Sequence, residues 1–99
     1  MFSHIVVFWT DPKKPKAADE LLAGAKKCLN GIPGVMQFHA GKMVTSPRPV
    51  VEQTYSVALN VTFANKKAQD DYQVHPKHLE FLEKFGRPLS TKTVIYDFE

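Results

Sequence analysis

The chain has 99 residues, 43% of them hydrophobic and 11% aromatic, with 5 glycines and 7 prolines, a composition that excludes disordered, collagen-like and low-complexity classes. So short a chain supplies one hydrophobic core, and residues 1–99 are read as a single domain. Basic residues number 13 and acidic ones 10, for a net charge of +3, but the lysines are dispersed and the only arginines are Arg48 and Arg87, so nucleic acid is not an expected partner.

The longest apolar run, Ile5 to Trp9, falls far short of the ~20 residues a membrane-crossing helix requires, so no membrane association is expected. A lone cysteine, Cys28, forms no internal disulfide, and no basic-then-apolar leader opens the chain. A reducing, cytoplasmic location is therefore the default expectation.

Ser3 to Thr10 is apolar, β-branched and aromatic and stops at Asp11-Pro12, which predicts a first strand. Alternation places His4, Val6 and Phe8 on one of its faces and Ile5, Val7 and Trp9 on the other. Between Pro15 and Asn30, the spacing of Leu21, Leu22, Ala25, Cys28 and Leu29 predicts an amphipathic helix, ended by Gly31, Pro33 and Gly34. Val35 to Thr45 reads as a second strand, with Met36, Phe38 and Ala40 on one face and Gln37, His39 and Gly41 on the other. A loop containing Ser46-Pro47-Arg48-Pro49 follows.

Tyr55 to Phe63 alternates most cleanly, setting Tyr55, Val57, Leu59, Val61 and Phe63 against Ser56, Ala58, Asn60 and Thr62. Asn65 is an N-cap candidate for a helix through Ala68 towards Tyr72. Pro76 begins a further helical segment that Gly86-Arg87-Pro88 is expected to close. Thr93 to Phe98 forms the last strand, with Val94, Tyr96 and Phe98 opposite Thr93, Ile95 and Asp97.

The resulting β-α-β-β-α-β order is an α+β arrangement in which helices cover one face of an antiparallel four-stranded sheet. Large residues nevertheless occupy both faces of the first and last strands. The simplest cover for the second face is another copy of the same sheet, giving a homodimer; the alternative is that Trp9 or Tyr96 lies under the loop from Lys42 to Gln53.

Tyr72-Gln73-Val74-His75-Pro76-Lys77-His78 is the most informative stretch. With Pro76 at the first helical position, His75 becomes the N-cap and His78 lies in the first turn, where the helix dipole disfavours an imidazolium. A neutral imidazole suits a general base, and Tyr72 brings a phenol to the same place. A purely structural account also fits, with His75 as a cap and Tyr72 as a core aromatic. His4, under the helices, adds a polar group to a small-molecule cavity between helices and sheet, while His39 faces away.

No His-Glu-x-x-His helix or cysteine pair points to a metal. Cys28 reads as a buried small hydrophobe. The absence of a nucleophile elbow, a phosphate-cradling loop and a dinucleotide fingerprint leaves no cofactor expected.

Ser3-His4-Ile5-Val6-Val7-Phe8, Ile32-Pro33-Gly34-Val35, Tyr55 to Phe63, Tyr72 through His78 and Tyr96-Asp97-Phe98 together resemble the stress-responsive A/B-barrel (Dabb) domain family over essentially the whole chain. The Tyr-x-x-His-Pro-x-His run with the histidine-bearing first strand is the most specific part, and it is similar to that of the olivetolic acid cyclase branch. The resemblance implies a ferredoxin-like protomer pairing into a dimeric α/β barrel, in a family whose members mostly lack an assigned reaction. For the cyclase branch it implies that His78 removes a proton alpha to a carbonyl while Tyr72 holds the oxyanion. His4, Val6, Phe8, Leu59, Val61 and His75 would then contact substrate, without a cofactor.

Overall fold

The computed structural model describes all of residues 1–99. Strands β1 (Phe2–Trp9), β2 (Val35–Lys42), β3 (Val57–Phe63) and β4 (Lys92–Phe98) form one antiparallel sheet in the order β2-β3-β1-β4. Helix α1 (Ala17–Cys28) joins β1 to β2. Between β3 and β4 run α2 (Lys66–Gln73), α3 (Pro76–Phe81), a π-helical turn (Leu82–Gly86) and the short α4 (Arg87–Leu89). No helix is long and apolar enough to cross a membrane.

The core follows the alternation of the two central strands. Phe2, His4, Val6 and Phe8 are buried on β1, and Val57, Leu59, Val61 and Phe63 on β3, with side chains of opposite parity more exposed. From α1, Leu21, Ala25 and Cys28 close over this surface, each fully buried leucine or phenylalanine contributing roughly 1.5–3 kcal/mol of transfer free energy. The helix passes so near the π turn that a Cβ on Gly24 would lie 2.3 Å from Cγ of Phe85. After α1 the chain reverses through Gly31 and Gly34, whose φ angles of 88° and 92° lie in the left-handed region that side chains with a Cβ disfavour.

Three expectations require correction. The helix-side row of β2 is Val35, Phe38 and Ala40, and Met36 is exposed, because a bulge lets Val35 and Gln37 oppose the adjacent Phe63 and Thr62 of β3. Tyr55 precedes β3; its ring packs edge-on against Trp9 at 6.5 Å on the opposite side of the sheet. Gly86-Arg87-Pro88 does not end the helix, which continues to Leu89. The Arg87 N–H reaches back five residues to the Leu82 carbonyl, and the Ser90 N–H returns to four-residue spacing on Gly86. Pro88, with no N–H, falls at the changeover.

The helical layer stops short of β4. No helix packs on that strand, and Ile95, which shares the helix side with Val6 through its register, is 53% exposed. A trough therefore lies between the underside of β1 and β4 and the segment from α3 to α4.

Candidate functional site

That trough holds a cavity of about 250 Å³. Val6, Phe8 and Leu59 form its sheet wall, Phe81 and Leu82 its helical wall, and Leu29 adds a further apolar contact. Polar atoms enter from His4, Tyr72, Gln73 and His78, and Thr93 and Arg87 complete the rim.

Local sequence explains how the polar groups converge. The Asn65 side chain accepts the Ala68 N–H at 3.0 Å and starts α2, which delivers Tyr72 onto the sheet. The Tyr72 ring packs edge-on against Phe63 at 5.1 Å and His4 at 6.0 Å. The chain then restarts at His75, whose Nδ1 accepts the Lys77 N–H at 3.1 Å, with Pro76 at the first helical position. One turn later His78 lies 4.8 Å from the Tyr72 ring.

Each ring has a defined chemical state. The Gln73 carbonyl accepts a hydrogen bond from Nδ1 of His78 at 2.8 Å; since a carbonyl only accepts, that nitrogen carries the proton and Nε2 keeps its lone pair when the ring is neutral. Burial lowers the His78 pKa below 6.5, the Gln73 carbonyl acts in the opposite sense, and His4 lowers it further. Desolvation, rather than the dipole of so short a helix, is thus the leading cause of its neutrality. Burial also pushes the Tyr72 phenol well above its ordinary range, with no charge or hydrogen bond opposing it, so it remains a proton donor at neutral pH. On β1, Nδ1 of His4 lies 2.5 Å from Oδ1 of Asp97, its register partner on β4. The carboxylate only accepts, so Nδ1 of His4 donates to it and the ring is held in place on β1.

The structure brings together His4, Val6, Phe8, Leu59, Tyr72 and His78 around the cavity. Two expected contacts lie elsewhere. Val61 is wholly buried in the core, and His75 accepts from its own helix through Nδ1 and does not line the cavity. Asp97, Gln73 and Arg87 were not anticipated. Strand parity groups Asp97 with Thr93 and Ile95, but its pairing with His4 follows only from the β1–β4 neighbourhood. No three His, Cys, Asp or Glu side chains cluster as a metal-ligand set, and Cys28 is buried.

The comparisons with known proteins agree with this architecture. The stress-responsive A/B-barrel protein HS1 of Arabidopsis thaliana is 30% identical over 95 residues, spanning 96% of this chain and 84% of that protein. A crystal structure of a dimeric ferredoxin-like protein of unknown function from Thermobifida fusca superimposes with a TM-score of 0.79 at 19% identity, covering 98% of this chain and 88% of the other. A hydroxynitrile lyase from Passiflora edulis has a TM-score of 0.74 at 23% identity, with 98% and 90% covered. The profile of the stress-responsive A/B-barrel domain matches residues 2–99, and with that match the chain belongs to the Dabb family.

Proposed function

We propose that this protein is a homodimer that binds a small, mainly apolar molecule in the cavity beneath β1. Two copies meet through the sheet face that the helices leave open, where Ile5, Val7 and Trp9 neighbour Val94, Tyr96 and Phe98. The dimeric state of the structurally similar Thermobifida protein supports a dimer, and the exposed apolar residues of this face supply the surface for it. The observation that carries the ligand reading is an apolar-walled cavity in which His4, Tyr72 and His78 supply convergent polar groups. The ligand's carbonyl or hydroxyl head would face those three side chains. Titrating the protein with 2-heptanone while following side-chain NMR signals tests it: saturable shifts confined to the cavity wall are expected, and shifts scattered over the surface would overturn the reading.

A catalytic use is the second reading, favoured by the tautomer of His78. Nε2 of His78 takes a proton from the carbon alpha to a carbonyl, and the Tyr72 O–H donates to the oxygen on which the resulting charge collects. This is the chemistry of a cyclase or lyase acting on a β-keto compound and requires no cofactor; the structural likeness to a hydroxynitrile lyase gives it limited support. Poly-β-keto thioesters should be turned over by the wild type, with losses of about 10²- to 10⁴-fold in His78→Ala. Background product from both proteins would exclude catalysis for those substrates and leave the binding reading standing.

A further inference from the structure

The cavity wall contains one permanently charged side chain, Arg87, and no aspartate or glutamate. Arg87 makes no ion pair: the chain's salt bridges engage His4, Lys42, Lys66, Lys67 and Lys84 instead. Its placement depends on the π turn. One extra residue in a helical turn rotates everything beyond it by about 100°, so the turn at Leu82–Gly86 sets which way Arg87 projects. Gly86 is buried inside this turn, and a Cβ there would come within 3.3 Å of the Phe81 ring.

The cavity also has a direction. The helical segment begins beside Tyr72, with His78 4.8 Å away, passes Phe8 at Phe81, where the ring centroids are 6.0 Å apart, and continues to Arg87. The histidine and tyrosine groups therefore occupy one end and the guanidinium the other, with apolar wall between.

We infer that the ligand of this cavity is a carboxylic acid whose carboxylate is held by Arg87 and whose apolar body runs along the wall to a carbonyl or hydroxyl group facing Tyr72 and His78. The inference rests on the cavity being a ligand site and adds the ligand's charge class. The guanidinium fork matches a carboxylate in two parallel hydrogen bonds, and Thr93 adds a hydroxyl at the same rim. Because Arg87 is exposed, water screens the pair and the gain should be about tenfold in affinity rather than the hundredfold available to a buried charged bond.

Octanoate and octanamide, which differ in charge but scarcely in shape, separate the claims. Isothermal titration should give octanoate about tenfold tighter binding than octanamide at low salt, an advantage reduced by added salt. Arg87→Gln should abolish the difference, and Arg87→Lys should retain part of it. Equal binding of the two probes, or an advantage that survives Arg87→Gln, would overturn the assignment to Arg87 while leaving the cavity as a ligand site. If neither probe moves the NMR signals of Tyr72 or His78, the ligand-site reading fails and this inference falls with it.

Discussion

On the helix side of β1, Phe2, Val6 and Phe8 are buried within one chain, whereas Ile5, Val7 and Trp9, equally apolar, stay half-exposed on the other side. The helix side is finished by α1 and α2 over the central strands and left unfinished at β4. No helix covers the open side, where Tyr55 packs on Trp9, and its outer strand leaves Tyr96 59% and Phe98 58% exposed. The two faces thus separate two tasks. A partly closed face retains a cavity with polar groups fixed by rigid elements, and an open apolar face retains the free energy of burial for association.

Charging the open face should break this comparison most decisively. Val7→Arg places a cation among Ile5, Trp9 and Val94 on the proposed contact surface, and an unpaired buried charge costs about 3–5 kcal/mol, a loss of at least a hundredfold in dimer affinity. Sedimentation at micromolar concentration should show a folded monomer. An unchanged dimer would remove the open face from the interface. On the closed face, Gly24→Ala pushes a methyl into the ring of Phe85 and should destabilise by about 1–3 kcal/mol in urea unfolding, as overpacked cores do. A neutral result would mean that Phe85 turns aside and that α1 does not fix the π turn. Asn65→Ala removes the acceptor for the Ala68 N–H and should cost about 1 kcal/mol, while Asn65→Gly should cost only a few tenths.

The same contrast explains what was legible in the residues themselves. Strand alternation in Val57 to Phe63 and the cap–proline sequence at His75-Pro76 are local patterns, and both correspond to the elements that formed. The Met36 bulge is not local, because it exists only relative to β3. Pro88 misled for a different reason: proline excludes itself from regular α-helix, but the π turn creates one backbone position that has no use for an N–H. His4, Tyr72 and His78 were readable as polar residues beside apolar faces. Asp97 and Arg87 depended on strand order and on helical phase, which no short segment encodes. His75 caps its own helix through Nδ1 and lies outside the cavity lining, a placement set by the turn between the two helices.

The smallest effect tests whether the closed face governs its histidine by burial. Because the folded-state pKa of His78 lies below 6.5, the unfolded chain binds more of a proton than the folded one once the pH falls below that value. The associated stability is complete above pH 6.5 and is lost as the pH falls through the folded pKa. The loss amounts to a fraction of one proton and should appear as a shallow decline in urea midpoint on the acid side, absent in His78→Gln. NMR titration of the imidazole supplies the independent check. A His78 ring that titrates at or above 6.5 would mean that water, or the Gln73 carbonyl, outweighs desolvation. Such a ring would be substantially protonated under mildly acidic conditions and a poor proton acceptor there. Disruption of the dimer by Val7→Arg should leave the His78 titration unchanged, because Val7 and the cavity lie on opposite faces of the sheet. A joint change in both would show that the second copy helps to seal the site.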